Sequence, residues 1–213
     1  MKKIFIAHPH PIVTVGLENM INEEKDLSVS GKSNNYYQAL DMIYKSSPDM
    51  AVVDIFKNGE YRCIVTDIQK KNPSLPILVV SSIGESLYAQ RCLRKGASGF
   101  ITLEKPESEI LKAVRTVLQG EVFLSEEELQ KVMSYSRKNL NPLEDPVNSL
   151  SEREFQVYNL SGQGLSTKEI AYNMGISHKT VDTYYSHIKR KLNFNNIIEL
   201  RKSAFSSLGQ KAV

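Results

Sequence analysis

The sequence has few cysteines and no long apolar run, and these absences exclude several classes of protein. Its 213 residues contain two cysteines, Cys63 and Cys92, without metal-site spacing or a disulfide framework. Two lysines open the chain, but the apolar run behind them ends after four residues, too short for a secretory signal. No later stretch reaches the length of a transmembrane span. We therefore expect a cytoplasmic protein with no membrane partner, no cofactor and no bound metal.

Residues 151–192 carry the local signals of three consecutive helices. Each S-x-x-E motif is a capping box, and glycine allows the left-handed geometry with which a helix ends. A glycine turn followed by a serine N-cap precedes the third helix. These signals are the boxes at 151–154 and 166–169, Gly162 and Gly164 after the first helix, and Gly175 with Ser177 before the third.

The third helix has two unlike faces. Val181, Tyr185, Ile188 and Leu192 recur at helical spacing and should pack on the other helices. The opposite face carries Lys179, Asp182, Thr183, Ser186, Lys189 and Arg190. A surface helix that offers donors and positive charge fits the DNA major groove, so we expect double-stranded DNA as a partner. A last apolar helix should run from Ile197 to about Phe205.

This region resembles the LuxR/NarL-type helix-turn-helix regulators. The matching motifs are L-S-E-R-E at 150–154, G-L-S-T-K-E-I-A at 164–171 and I-S-x-K-T-V at 176–181. The resemblance implies that the third helix enters the major groove and that the fourth pairs two subunits. It places Asp182, Thr183 and Ser186 at base-reading positions. By the same resemblance, the phosphate contacts are Lys179, Thr180, Tyr184, Lys189 and Arg190.

Asp182 departs from this family, which usually has a basic or neutral residue there. Phosphates repel a carboxylate, but it can accept a hydrogen bond from a cytosine amino group. Asp182 therefore either tunes the choice of sequence or points away from DNA. The plain alternative for the whole segment is a helical bundle with a solvated charged face. Residues 149–213 carry 9 basic and 5 acidic side chains, a modest excess that makes affinity depend on dimerisation.

The N-terminal part alternates short apolar runs with amphipathic segments. Five such alternations predict an α/β fold, a doubly wound five-stranded parallel sheet with helices on both faces. The predicted strands are Ile4–Ala7, Leu27–Ser33, Met50–Ile55, Ile77–Ser81 and Gly99–Leu103. The predicted helices are Ile12–Asn22, Tyr36–Tyr44, Arg62–Lys71, Glu85–Lys95 and Glu107–Leu118. Sites in such sheets form at the carboxyl ends of the strands, which should bring His8-Pro9, Asp54, Ser81 and Leu103 together.

This half resembles the receiver domain of two-component response regulators. The matching residues are H-P-I-V-x-x-G-L at 10–17, A-V-V-D at 51–54, I-L-V-V-S at 77–81 and G-A-S-G-F-I at 96–101. The resemblance implies that Asp54 is the phosphoacceptor, Ser81 the hydroxyl that meets the phosphoryl group, and Phe100 the aromatic switch. It divides the chain into a receiver-like domain at 1–124, a helix and flexible linker at 125–148, and an all-α four-helix helix-turn-helix domain at 149–213.

Three receiver positions depart from the family. His8 and Pro9 replace the acidic pair that would hold Mg²⁺ for phosphoryl transfer. Leu103 replaces a lysine, and Lys105 lies two residues further on. We hypothesise a degenerate receiver, or pseudo-receiver, in which Asp54 is structural and pairs with Lys57. The alternative is residual phosphorylation. His8 and His10 offer an incomplete ligand set for a softer metal, so ordinary histidines are the preferred interpretation.

We therefore predict a sequence-specific transcription regulator of the response-regulator type, which is not an enzyme. The helix from Glu107, with the strand before it, is the family's candidate for receiver pairing in a homodimer; the alternative is a helix that only packs on the sheet. A second possible function is an accessory subunit that forms a heterodimer with another regulator, and a third is a conventional phosphorylated response regulator. A lactone-sensing regulator is disfavoured, since that ligand-binding half has a different pattern and this chain has no tryptophan.

Overall fold

The computed structural model describes residues 1–55, 64–82, 85–126, 128–130 and 146–207, which fall into two compact units. The first unit contains the described residues up to Glu128, and the second those from Leu129 onward. Lys57 and most of the predicted helix and linker lie outside the described residues. None of the described helices is long and apolar enough to cross a membrane. The domain boundaries at 124/125 and 148/149 stay predictions.

The first unit is a five-stranded parallel sheet with helices between the strands, which confirms the predicted fold class. The strands are β1 (Lys2–Ala7), β2 (Leu27–Ser33), β3 (Met50–Val53), β4 (Ile77–Ser81) and β5 (Gly99–Thr102). The helices are α1 (Pro11–Asn22), α2 (Tyr36–Ser46), α3 (Ile64–Lys71), α4 (Glu85–Arg94) and α5 (Glu107–Leu118). Two of the three interior strands, β3 and β4, are buried along their length and are apolar except for Ser81.

In the strand order β2-β1-β3-β4-β5, β2 lies on one side of β1 and β3 lies on the other, so the order in which strands are added reverses between β1 and β3. A crevice forms at the carboxyl ends of the strands at such a point. Ala7 and Val53, the last residues of the two strands, are register partners. His8 and Asp54 follow them directly, so the sheet places these two side chains next to each other.

From residue 146 to residue 207, the second unit contains a short 3₁₀ helix, Pro146–Ser149, followed by four α-helices. They are α6 (Glu152–Gly162), α7 (Thr167–Met174), α8 (His178–Leu192) and α9 (Ile197–Ser207). Both predicted capping boxes are present, and Ser177 caps α8. The 3₁₀ helix overlaps the last residues of the predicted linker, whose flexibility stays a prediction.

The first helix of this unit, α6, ends at Gly162, as expected, but Gly162 does not have the left-handed geometry that was predicted for it. It is the last helical residue, and a Cβ atom there would lie 2.7 Å from backbone atoms of Ala204 in α9. The left-handed residue is Gly164, with a φ of 85°. Glycine at 162 therefore allows two helices to pack closely, whereas glycine at 164 allows the chain to turn.

Candidate functional site

One face of α8 is buried against the other helices, so the opposite face points towards solvent. Val181, Tyr185 and Ile188 lie inside the unit, and the Tyr185 hydroxyl accepts a hydrogen bond of 2.9 Å from Ser161 Oγ in α6. Residues three and four apart share a helix face. The opposite stripe is exposed and contains Lys179, Asp182, Thr183, Ser186 and Arg190.

Two of the five phosphate-contact candidates belong to this exposed stripe, and the other three lie beside it. Lys179 and Arg190 are exposed, whereas Thr180, Tyr184 and Lys189 are half-buried at its sides. The Thr180 hydroxyl shares a hydrogen bond of 2.9 Å with Ser177 at the helix start. All five positions lie on or beside the exposed stripe, and their role as phosphate contacts stays a prediction.

Glu154 joins the start of α6 to the last turn of α8. Its carboxylate accepts a hydrogen bond of 2.7 Å from the Ser151 backbone N–H and one of 2.6 Å from Lys191 Nζ. His187 Nδ1 lies 3.6 Å from the same carboxylate. Burial would raise the pKa of Glu154, but the hydrogen bonds from Lys191 and Ser151 lower it below its usual value. Sequence reasoning did not identify this contact, because the capping box explained Glu154 locally.

The second candidate site is the carboxyl edge of the sheet, where His8 lies beside Asp54. Nε2 of His8 is 3.3 Å from Oδ2 of Asp54, and both side chains are 2% exposed. Nδ1 accepts a hydrogen bond of 3.2 Å from the His10 backbone N–H. The neutral ring therefore carries its proton on Nε2, the nitrogen that faces Asp54. Among the described residues this nitrogen has no aligned hydrogen-bond acceptor, so its interaction with Asp54 is electrostatic.

Burial, followed by the proximity of His10, lowers the pKa of His8 to about 4. A neutral imidazole is a nitrogen ligand, and proline at position 9 has no side-chain donor atom. Mg²⁺ prefers charged and neutral oxygen ligands. The side chains of His8 and Pro9 therefore do not fit a Mg²⁺ ion.

Leu103 and Lys105, the two residues considered for the family's lysine position, make other contacts. Leu103 packs against the hydrophobic core between the sheet, α1 and α5. Lys105 forms an ion pair of 3.8 Å with Glu109 on α5.

The two receiver switch positions are both interior. Ser81 ends β4 fully buried, and its carbonyl accepts a hydrogen bond of 2.9 Å from the Leu103 N–H. Phe100 is also fully buried. The strand-end rule thus places Ser81 at the predicted edge of the sheet, while the roles implied for both residues stay predictions.

An apolar groove between α1 and α5 was not identified from the sequence. Its volume is about 520 Å³, and its lining includes Leu17, Met20, Leu103, Glu107 and Ile110. Ile12 and Val15, on α1, are 80% and 44% exposed. The sequence of α1 could have indicated exposed apolar side chains, since this helix has more apolar residues than one buried face can hold.

Two family models match the chain. One is described as response regulator receiver domain and matches residues 4–115, and the other as bacterial regulatory proteins of the luxR family and matches residues 148–204. Among similar proteins is the oxygen regulatory protein NreC of Staphylococcus carnosus strain TM300, 29% identical over 204 residues. NreC of Staphylococcus aureus strain MRSA252 is 30% identical over 204 residues. Each alignment covers 93% of this chain and 94% of the relative.

Solved structures share the fold. RcsB from Salmonella enterica serovar Typhimurium, bound to promoter rprA in the presence of the phosphomimetic BeF₃⁻, has a TM-score of 0.66 at 21% identity and 99% coverage of both chains. A structure of two RcsB dimers bound to two parallel DNAs has a TM-score of 0.59 at 22% identity, covering 97% of this chain and 98% of that one. A LuxR-family two-component response regulator from Aurantimonas sp. SI85-9A1 has a TM-score of 0.59 at 22% identity, with 64% and 99% coverage.

Acidification is expected to destabilise the first unit through His8. The unfolded chain binds a proton at His8 near the ordinary pKa of 6.5, whereas the folded chain does so only near about 4. The folded state therefore loses stability as the pH falls through this window, by roughly 3 kcal/mol in total. Denaturant unfolding of the unmodified chain and of His8→Asn at a series of pH values measures the difference.

His10→Asn is the matched control, because its exposed ring should leave most of this pH dependence in place. If the unmodified chain instead gained stability relative to His8→Asn on acidification, the charge of Asp54 would dominate over burial and the expectation would be wrong.

Proposed function

Since this chain belongs to the response regulators that carry a luxR-family DNA-binding domain, we propose that it is a sequence-specific transcription regulator whose receiver works without Mg²⁺-dependent phosphorylation. Members of this family are regulators and not enzymes, which confirms the prediction on catalysis. The exposed polar stripe of α8, opposite its buried apolar face, is the observation that carries the DNA-binding proposal. The lack of acidic side chains at positions 8 and 9, next to Asp54, is the observation that supports the proposal on the receiver.

Lys189 and Arg190 are proposed to contact backbone phosphates. Phosphate contacts carry no sequence information, and each one releases counterions. Lys191, the third basic residue of the last turn, is bound to Glu154 and Ser149, so we assign it to the fold of the domain.

Replacement of Lys189 and of Arg190 by Ala should weaken binding to all duplexes alike. Each replacement should reduce the slope of log K against log salt by about 1. Gel-shift titrations of genomic fragments at several salt concentrations measure this slope. Lys202→Ala, an exposed lysine on α9, is the control and should leave the slope unchanged.

The same titration tests the alternative of an accessory subunit that acts in a heterodimer. Such a subunit would shift no fragment selectively when it is present alone, and that result would contradict direct reading of DNA by this chain.

The receiver is proposed to be degenerate because the carboxylate remains while its metal ligands do not. His8 supplies an uncharged N–H beside Asp54, Pro9 supplies no side-chain ligand atom, and Leu103 is an apolar residue packed against the core. Without an ion, the crowded oxygens of an incoming phosphoryl group would not be neutralised next to Asp54. The receiver would then act through pairing with another subunit.

Restoring the acidic pair should restore phosphorylation. With a small phosphodonor and Mg²⁺, a phosphate-affinity gel should show no modified band for the unmodified chain and a new band for the double variant His8→Asp, Pro9→Asp. Addition of Asp54→Asn to the double variant should remove that band. Stoichiometric Mg²⁺-dependent modification at Asp54 of the unmodified chain would contradict the proposal and support a conventional response regulator.

Homodimerisation through the α1/α5 groove is the proposed means of pairing. Exposed Ile12 and Val15 lie on α1, which lines the groove together with Glu107 and Ile110 of α5, and burial of apolar side chains drives association. The RcsB dimers on DNA support pairing in a protein of the same fold. The modest positive charge of the DNA-binding part also favours a binder with two half-sites.

Ile12→Glu should shift the monomer–dimer equilibrium towards monomer, because a charge in the apolar contact loses its hydration. Sedimentation velocity over a concentration series measures the shift. Val122→Glu is the matched control, an apolar residue that is 59% exposed and lies on neither α1 nor α5. Equal behaviour of the two variants would place the dimer contact elsewhere.

A further inference from the structure

The hydroxyl groups on the exposed stripe of α8 are committed to hydrogen bonds within the helix. Thr183 Oγ1 donates to the carbonyl of Lys179 at 2.9 Å, and Ser186 Oγ donates to the carbonyl of Asp182 at 3.0 Å. A hydroxyl group has one proton and two lone pairs. Each oxygen therefore faces outward as an acceptor, and turning its proton towards a base would break a bond that already exists.

Asp182 adds a third acceptor to the same stripe. Its side chain is exposed, and in the described part of the chain no cation lies within ion-pair distance. An ionised carboxylate only accepts hydrogen bonds. Asp182, Thr183 and Ser186 thus form a central acceptor group, with the donors Lys179 and Arg190 at its two ends.

We propose that α8 reads its operator as a hydrogen-bond acceptor, with the central acceptor group facing the exocyclic amino groups of cytosine or adenine. This inference rests on the proposed function as a DNA binder. In the major groove only cytosine N4 and adenine N6 donate, whereas guanine N7 and O6 and thymine O4 accept. Acceptors that face guanine or thymine would lose their water without gaining a partner.

The assignment to an amino group of a base is strongest for Asp182, because its side chain is charged. A carboxylate that enters the groove moves towards phosphates, so a hydrogen bond from an amino group has to offset that repulsion. Cytosine is the base that a carboxylate side chain reads in this way. Lys179 and Arg190, roughly 16 Å apart along the axis, are placed to meet phosphates on either side.

The test begins with selection of duplexes from a randomised library by the full-length chain. Each selected G·C pair is then changed in two ways, with a cytosine analogue that lacks the amino group and with 7-deazaguanine, which lacks the N7 acceptor. We expect the amino-deficient analogue to weaken binding about tenfold at the position that Asp182 reads, and 7-deazaguanine to leave binding unchanged. For selected A·T pairs, purine and 7-deazaadenine serve in the same way.

The variant D182N provides the second readout. It keeps the shape of the side chain but adds donors, so the selected pair should change from G·C to A·T, which an amide can contact at both N6 and N7 of adenine. Arg190→Gln is the matched control and should weaken binding without changing the preference. Circular dichroism confirms that each variant is folded.

The inference would be overturned if 7-deazaguanine weakened binding while the amino-deficient analogue did not, or if D182N kept the selected sequence. Absence of any enriched duplex would instead contradict the proposed function itself, so the two failures are distinguishable.

Discussion

The orientation of α8 depends on the burial of its apolar stripe, and Glu154 holds that orientation in place. Full burial of Val181, Tyr185 and Ile188 contributes on the order of 1.5–3 kcal/mol for each side chain. The partly exposed Lys191 contributes less through its ion pair. The apolar stripe therefore decides which face is inside, and the Glu154–Lys191 contact fixes the last turn of α8 against the start of α6. The polar stripe can face a duplex because these two constraints agree.

In the receiver-like unit, the position of the candidate site and the chemistry of its side chains have separate causes. At the carboxyl edge of the sheet, the reversal of strand order brings position 8 next to Asp54, and the side chain at this position is an imidazole. Topology determines where the site lies, and side chains determine what it does. Under the proposed function, a receiver without acidic ligands would act through pairing, for which the exposed apolar residues of α1 are the proposed surface.

The proposals for the two units support one another physically. The DNA-binding part has a small positive excess, and its reading face presents acceptors, one of them charged. Such a face contributes selectivity at a cost in electrostatic attraction, because the carboxylate opposes the phosphate contacts. Pairing of two receivers would compensate by binding two half-sites at once, since the second contact becomes intramolecular.

Local signals in the sequence determined those elements whose stabilising contacts lie within a few residues of one another. The capping boxes at Ser151 and Ser166, the turn at Gly175 and the alternation that gives the parallel sheet depend on backbone conformation and short-range hydrogen bonds. The tertiary structure alone decided the role of Gly162 against Ala204, the core position of Leu103, the exposure of Ile12 and the contact of Lys191 with Glu154. Packing of elements far apart in the chain sets each of these, and no single segment of sequence contains both partners.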